Sequence, residues 1–262
     1  MSDEYSTKEA AKATTPYDRI AGLYDPWSRS VTEDIAFYVA EARKAAGAAG
    51  TLPGATVVEL GVGTGRIAVP TAEAGVPVIG VDSSAGMLEV CRARARAAGV
   101  ADLLDLRLGD LRDPRVPERV PLVTCPFRAY LHLSDDKERR AAFRAARDLL
   151  LPGGRLVFDV FTPSPDDIAE TDARWLEREP GIWERAEWDE QARRLTLSVL
   201  GDGAEATMML SWLAPAEWSV LLARAGFEVE ACYGWFDRRP YQGGEDSIWI
   251  ARLGDTGCSA DG

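Results

Sequence analysis

The chain has 262 residues and a formal net charge of −12, with 46% hydrophobic and 27% charged residues. That length carries a large α/β domain with a sizeable core, and the composition is ordinary for a soluble globular protein. The negative charge argues against a nucleic-acid partner, whose phosphates need a basic surface, and leaves neutral or cationic small molecules open.

No apolar run approaches the roughly 18 residues of a membrane span, so no membrane association is expected. The polar opening "MSDEYSTKEAAKATTP" does not read as a secretory signal. The four cysteines are widely spaced, with no CxxC and no Cys/His cluster. Neither a metal site nor a disulfide scaffold is expected, and a reduced, cytoplasmic setting is the default.

In chain order, residues 1–15 read as a disordered tail. Residues 16–46 read as two helices, "YDRIAGLYDPW" and "VTEDIAFYVAEARKAAG". In the second, Ile35, Val39, Ala42 and Ala46 form a helical stripe, with Thr32 as N-cap. From Thr56 the pattern alternates. Strands are expected at 56–60, 77–81, 103–108, 120–124 and 155–161, with helices near 64–74, 84–98 and 134–150. This is the pattern of a mostly parallel sheet with helices on both faces. Ser134 is expected to cap the last of these helices and "PGG" at 152–154 to stop it. Pro70 falls inside the first, where a kink is expected. After "FTPSPDD" come strands at 182–189, 193–200 and 204–212, whose short joins fit an antiparallel meander. A helix at 215–225 leads to strands at 227–235 and 246–253, and the tail 254–262 reads as disordered.

The most informative stretch is "VVELGVGTGR", residues 57–66. Gly61, Gly63 and Gly65 follow a strand and open a helix, so a backbone there approaches a ligand with no side chain between. The spacing GxGxG is not the dinucleotide GxGxxG, and "GRI" does not supply the GK[ST] of a P-loop. Glu59 would repel a phosphate and favour an ammonium group. Asp82 ends the next strand, where a carboxylate accepts both hydroxyls of a ribose; its bland alternative is a helix N-cap. Asp110, in "LRLGDLRD", is placed to accept from an adenine amine. An amino-acid end, a ribose and an adenine without phosphate describe S-adenosylmethionine.

The ordered motifs "VVELGVGTGRIAVP", "VIGVDSSAGMLEVCRARA", "LRLGDLRD", "VPLVTCPFRAYLHL" and "DLLLPGGRLVFDVF" resemble those of class I S-adenosylmethionine-dependent methyltransferases. "YDRIAGLYD" resembles the N-terminal lid helix of their small-molecule members. The resemblance covers roughly 16–161 and 213–253. It implies an α/β fold: a Rossmann-like, doubly wound, mostly parallel seven-stranded sheet, with an antiparallel meander inserted and a helical lid in front. The lid would be 16–50 and the methyltransferase domain 51–253, with the insertion at 164–212.

By the same resemblance, Glu59, Gly61, Gly63 and Gly65 would surround the methionyl end of S-adenosylmethionine. Asp82 would hold the ribose, Ser83 beside it would also bind the cofactor, Met87 would pack on the adenine, and Asp110 with Leu111 would meet its edge. Cys125 would offer its backbone carbonyl to the ammonium, and Tyr17 and Tyr24 would close over the cofactor. The product would be S-adenosylhomocysteine.

His132, the sole histidine, follows the fourth strand and reads either as a general base or as a structural residue near the next helix. Tyr130 is a second candidate base. Arg128 is a substrate-binding candidate. Seven of the eight tryptophans follow residue 160; Trp212 and Trp235, near strand ends, are expected at the substrate pocket. The expected activity is methyl transfer to a nitrogen or oxygen of a small molecule, by a monomer or homodimer. The rival is a protein of this fold that binds the cofactor structurally and catalyses cyclisation or decarboxylation.

Overall fold

The computed structural model describes residues 15–48 and 55–254. Apart from Thr15 and Gly254, the two expected tails lie outside the described residues. Two helices come first, α1 (Pro16–Trp27) and α2 (Glu33–Ala48). Thr15 starts α1 through a capping box: its hydroxyl accepts from the Asp18 N–H, and the Asp18 carboxylate takes the Thr15 N–H at 2.7 Å. The buried face of α2 is rotated from the expected stripe, of which Ala42 is buried and Ile35 and Ala46 are only partly buried against the core. It runs Asp34, Phe37, Tyr38, Glu41, Ala42, so two carboxylates share it with two rings. Their partners explain the rotation. Asp34 binds Arg66 and Glu41 binds Arg238, so ion pairing joins hydropathy in choosing which side faces inward. Thr32 does not cap; its own N–H donates to the Glu33 carboxylate.

The alternating region gives β1 (Val57–Leu60), α3 (Ala68–Glu73), β2 (Val78–Asp82), α4 (Ala85–Ala97), β3 (Leu104–Leu108), β4 (Val120–Cys125), α5 (Asp136–Asp148) and β5 (Leu150–Phe161). Pro70 causes no kink, because α3 starts later than expected and places it in the first turn, where no intrahelical N–H bond is needed. Asp135, not Ser134, caps α5 by accepting from Glu138 N–H. That helix ends at Asp148, before "PGG", which falls inside β5.

Then follow α6 (Pro165–Thr171), β6 (Trp175–Glu179), β7 (Ile182–Asp189), β8 (Arg194–Gly201), β9 (Ala204–Ser211), α7 (Pro215–Arg224), β10 (Phe227–Tyr233) and β11 (Asp246–Leu253). Neither α6 nor β6 was expected: both are short and polar, and "PSPDD" reads as a turn until Ser164 caps it as a helix.

Seven strands form one sheet in the order β10-β11-β5-β4-β1-β2-β3, in which β11 alone runs against the others. Strand order reverses between β1 and β4, which puts a crevice at the carboxyl ends of β1, β2 and β4. Alternate residues of β4 and β5 feed opposite cores. Val123 and Phe158 join one that includes Phe143 and Trp218; Leu122 and Val157 join the other, with Phe37 and Leu88. The remaining strands make a four-stranded antiparallel sheet, β6-β7-β8-β9. Its inner face, with Ile182, Val199 and Met208, packs on Ile20 and Leu23 of α1, so α1 is held between this sheet and α4.

One tie between the leading helices and the segment after the glycine turn is a buried ion pair. Arg66, just after the glycine turn, reaches both oxygens of Asp34 at 2.7 and 2.5 Å, with the two residues 8% and 1% exposed. Removing one member of such a pair leaves a buried charge and costs about 3–5 kcal/mol. Asp34→Asn should lower the urea unfolding free energy by that amount; an unchanged midpoint would show that the pair does not hold α2 in place.

Candidate active site

β1 ends at Leu60 and the chain turns through Gly61, Gly63 and Gly65, at φ of 72°, 54° and 79°. Gly61 and Val62 donate their N–H groups to the Val81 carbonyl at 2.8 and 3.0 Å, stitching the turn to β2. The glycines differ in what they make room for. A Cβ on Gly65 would stand 2.5 Å from the Cys91 sulfur, so this glycine serves close packing on α4 and does not reach a ligand. A Cβ on Gly63 would meet no protein atom nearer than 4.0 Å and would project into a cavity.

That first cavity, about 310 Å³, lies at the carboxyl edge of the sheet. Gly61, Gly63, Asp82, Ser83 and Met87 line one side, and Asp110 and Leu111 another. Tyr17 and Tyr24 cover it from α1, while Phe127, Ala129 and His132 close it after β4. Asp82 is fixed by backbone: one carboxylate oxygen accepts from Gly63 N–H and the other from Ser84 N–H, each at 2.8 Å. The N-cap of α4 is Ser84, not Asp82, so Asp82 keeps lone pairs for a ligand. Asp110 is less free. Arg112 holds it through both carboxylate oxygens at 2.7 Å and also binds Glu138.

Three expected residues are off this wall. Glu59 lies buried in β1, 3% exposed; Gly65 faces α4; and Cys125 is buried, so Pro126 and Phe127 form the surface there. Tyr130, expected as a candidate base, lies in the core against Phe143 and Phe158, its hydroxyl beside the Cys125 thiol and without a hydrogen bond among the described residues.

A second cavity, about 550 Å³, opens on the other side of the lid and shares Tyr17, Tyr24, Phe127 and His132 with the first. Tyr17 Oη lies 2.9 Å from His132 Nε2, and the Tyr24 ring meets Tyr17 and Phe127 edge-on. Burial pushes the His132 pKa down to about 4, against a contact with the Met209 backbone that favours the charged form. The imidazole is therefore neutral at neutral pH, with Nε2 engaged by Tyr17.

Beyond this ring of side chains stand Arg128, Asp159, Phe161, Trp188 and Trp235. Arg128 pairs with Asp246 at 2.8 Å and covers the Phe161 ring at 4.6 Å. Trp212, expected in the pocket, packs behind Trp188 at 5.5 Å and is 7% exposed; Trp188 takes the wall position.

Asp159 was missed, although a lone acid in the apolar run "VFDVF" is a signal. It accepts from the Tyr38 hydroxyl at 2.5 Å and from the N–H groups of Phe127 and Arg128 at 2.8 and 3.0 Å. Burial raises its pKa to about 6, against the lowering effect of those bonds. The lid also reaches the glycine turn and the start of α4. Thr64 donates to Asp25 at 2.5 Å, and Asp18 accepts from Ser84 and Gly86 at the start of α4 at 2.7 and 2.8 Å.

A Methyltransferase domain family model matches residues 57–154. The CcbJ methyltransferase from Streptomyces caelestis has 30% sequence identity; the match covers 92% of this chain and 98% of that one, at a TM-score of 0.75. The chain belongs to the class I S-adenosylmethionine-dependent methyltransferases. A cypemycin N-terminal methyltransferase from Streptomyces sp is 28% identical over 200 residues, 72% of this chain and 79% of that protein. The fold is shared with CalS10, an amino pentose methyltransferase from Micromonospora echinaspora, at 22% identity, 89% and 95% coverage and a TM-score of 0.60.

S-adenosylmethionine is this methyltransferase's cofactor, and the first cavity fits it. Gly63 leaves an open face, Asp82 keeps acceptor capacity, and Met87 and Leu111 give apolar surface. The arginine on the wall, Arg112, is already neutralised, which suits a nucleoside without phosphate.

Burial pushes the Glu59 carboxyl up to about 8; Arg66 draws it down, and Asp34 and Asp82 push it further up. A pKa raised by folding gives stability that is complete below the ordinary value of 4.5 and lost as pH rises through about 8. The Glu59 contribution to the unfolding free energy should therefore fall between about pH 4.5 and 8, and over that range the stability of Glu59→Gln should rise relative to the parent by about 1 kcal/mol or more. Equal pH slopes in the two proteins would mean that Glu59 is not desolvated as described.

Proposed function

We propose that this methyltransferase moves a methyl group to a nitrogen or oxygen of a small molecule, with the cofactor in the first cavity and the acceptor in the second. The observation that carries this reading is the junction: the two cavities meet at Tyr17, Tyr24, Phe127 and His132. The relatives compared above are all named as methyltransferases, which favours methyl transfer over cyclisation or decarboxylation. Three described cysteines are unpaired, which supports a reducing, cytoplasmic compartment. No described helix is long and apolar enough to cross a membrane.

Bound S-adenosylmethionine supplies an activated methyl group on its sulfonium. In our reading the chain's residues bind, orient and exclude water. Asp82 and Ser83 take the ribose hydroxyls, and the backbone of Gly61 and Gly63 lies against the methionyl part. Met87 and Leu111 sandwich the adenine, and Asp110 meets its amine while sharing its oxygens with Arg112. The aromatic ring of the junction keeps water from the transfer path. Arg128, Trp188 and Trp235 contact the acceptor. Holding two reactants in line contributes roughly 7–11 kcal/mol to lowering the barrier, so alignment carries most of the catalysis. His132 acts as a positioning residue through Tyr17, because an imidazole whose pKa burial lowers to about 4 and whose Nε2 is already engaged is a weak base.

Two measurements test this reading. Asp82→Ala should weaken S-adenosylhomocysteine binding by about 1.5–3 kcal/mol in calorimetry, the scale of hydrogen bonds to a charged group; an unchanged dissociation constant in a folded variant removes Asp82 from the site. In proton NMR of the untagged chain, the single histidine should show no titration step between about pH 5.5 and 8. A midpoint near 6.5 would restore His132 as a candidate base.

A further inference from the structure

We infer that the second cavity selects a cationic, amine-bearing small molecule, recognised by Asp167 and Glu245 against aromatic walls. This rests on the reading of that cavity as the acceptor site.

Charge within this cavity is unbalanced. Seven carboxylates line the cavity, against two arginines and a neutral histidine. Most of the acids already have partners. Arg178 holds Glu184 and Arg128 holds Asp246, each at 2.8 Å. Arg66 neutralises Asp34 from behind the wall. Asp159 is engaged by a phenol and two backbone amides, and Glu33 accepts from Thr32 N–H.

Asp167, in the first turn of α6, and Glu245, just before β11, remain. Neither carboxylate accepts a hydrogen bond from any described residue. Asp167 is half-buried and Glu245 exposed; the Asp167 pKa is raised first by burial and then by the charge of Glu245, against the lowering effect of Arg128 and Arg178. Two carboxylates facing one cavity with no direct ion pair of their own oppose each other in the free protein, since Arg128 and Arg178 act on Asp167 only from a distance and are already paired with Asp246 and Glu184; a cation between them removes the opposition. An anionic acceptor would add to it.

The walls agree with the charge. Trp188, Trp235 and Phe161 present aromatic surface to the same space, and ring faces attract cations. The cavity already uses that chemistry once, with the Arg128 guanidinium over Phe161. The elements that carry Asp167 and Glu245 meet at the mouth: Thr162, shortly before α6, donates its N–H to the Glu245 carbonyl at 2.8 Å. A ligand amine held there would place the rest of the molecule toward Phe127 and the junction.

The test uses the full chain saturated with S-adenosylhomocysteine and three probes of one shape: benzylammonium, benzyl alcohol and benzoate. Tryptophan fluorescence follows binding, since Trp188 and Trp235 line the cavity. Benzylammonium should bind about five- to tenfold more tightly than benzyl alcohol, with benzoate weakest, as two partly screened carboxylates allow. The double variant Asp167→Asn, Glu245→Gln should lose that preference and keep its affinity for benzyl alcohol. Equal binding of the three probes, absence of benzylammonium binding, or a preference that survives in the double variant would each overturn the inference. Calorimetry with S-adenosylhomocysteine on the same samples separates the two readings. Failure to bind it sinks the proposed function, whereas normal binding without selectivity sinks only the cationic substrate.

Discussion

Arg66 ties together most of what makes the site. Its guanidinium donates to both oxygens of Asp34 and to the Val31 carbonyl, and it covers the Phe127 ring at 4.4 Å. One side chain thus joins the glycine turn, the segment leading into α2 and the loop after β4. Burying the charge is costly, and burial alone would lower its pKa; the bonds to Asp34 outweigh that and raise it. Such a group is stable only with its partners in place, so the position of the lid and the shape of the glycine turn are set together.

The same economy governs the loop after β4. Phe127 and Arg128 both have positive φ, 56° and 62°, although neither is glycine. Conformations of that kind cost of order 1–3 kcal/mol each and persist where the surroundings impose them. Asp159 supplies the constraint by accepting both N–H groups. The strained turn sends Phe127 to the junction and Arg128 into the second cavity, so a buried acid that reaches neither the cofactor site nor an ionic partner shapes both walls. His132, at the junction, is held by burial and Tyr17. Around the junction the protein thus provides placement and dryness, which suits a reaction whose donor arrives already activated.

The seven-stranded sheet and the first cavity were legible because they rest on local patterns: short β-branched runs, glycines at alternate positions and acids at strand ends. What escaped depends on partners far away in sequence. The buried face of α2 includes Asp34 and Glu41 because arginines at 66 and 238 come to meet them. Asp159 matters through amides more than thirty residues earlier, and the exchange of Trp212 for Trp188 follows from how the meander packs, which alternation alone does not give. Glu59, Gly65 and Cys125 sit in the expected motifs yet are not on the cavity wall: the Glu59 side chain is buried in β1, Gly65 gives room to Cys91, and the wall after β4 begins at Pro126.

A crystal structure with S-adenosylhomocysteine bound tests the central claim most directly. The account predicts the adenine between Met87 and Leu111, the ribose at Asp82, and the sulfur at the junction of Tyr17, Tyr24, Phe127 and His132, open toward the second cavity. A nucleoside lodged in the second cavity, or a sulfur turned away from that junction, would contradict it.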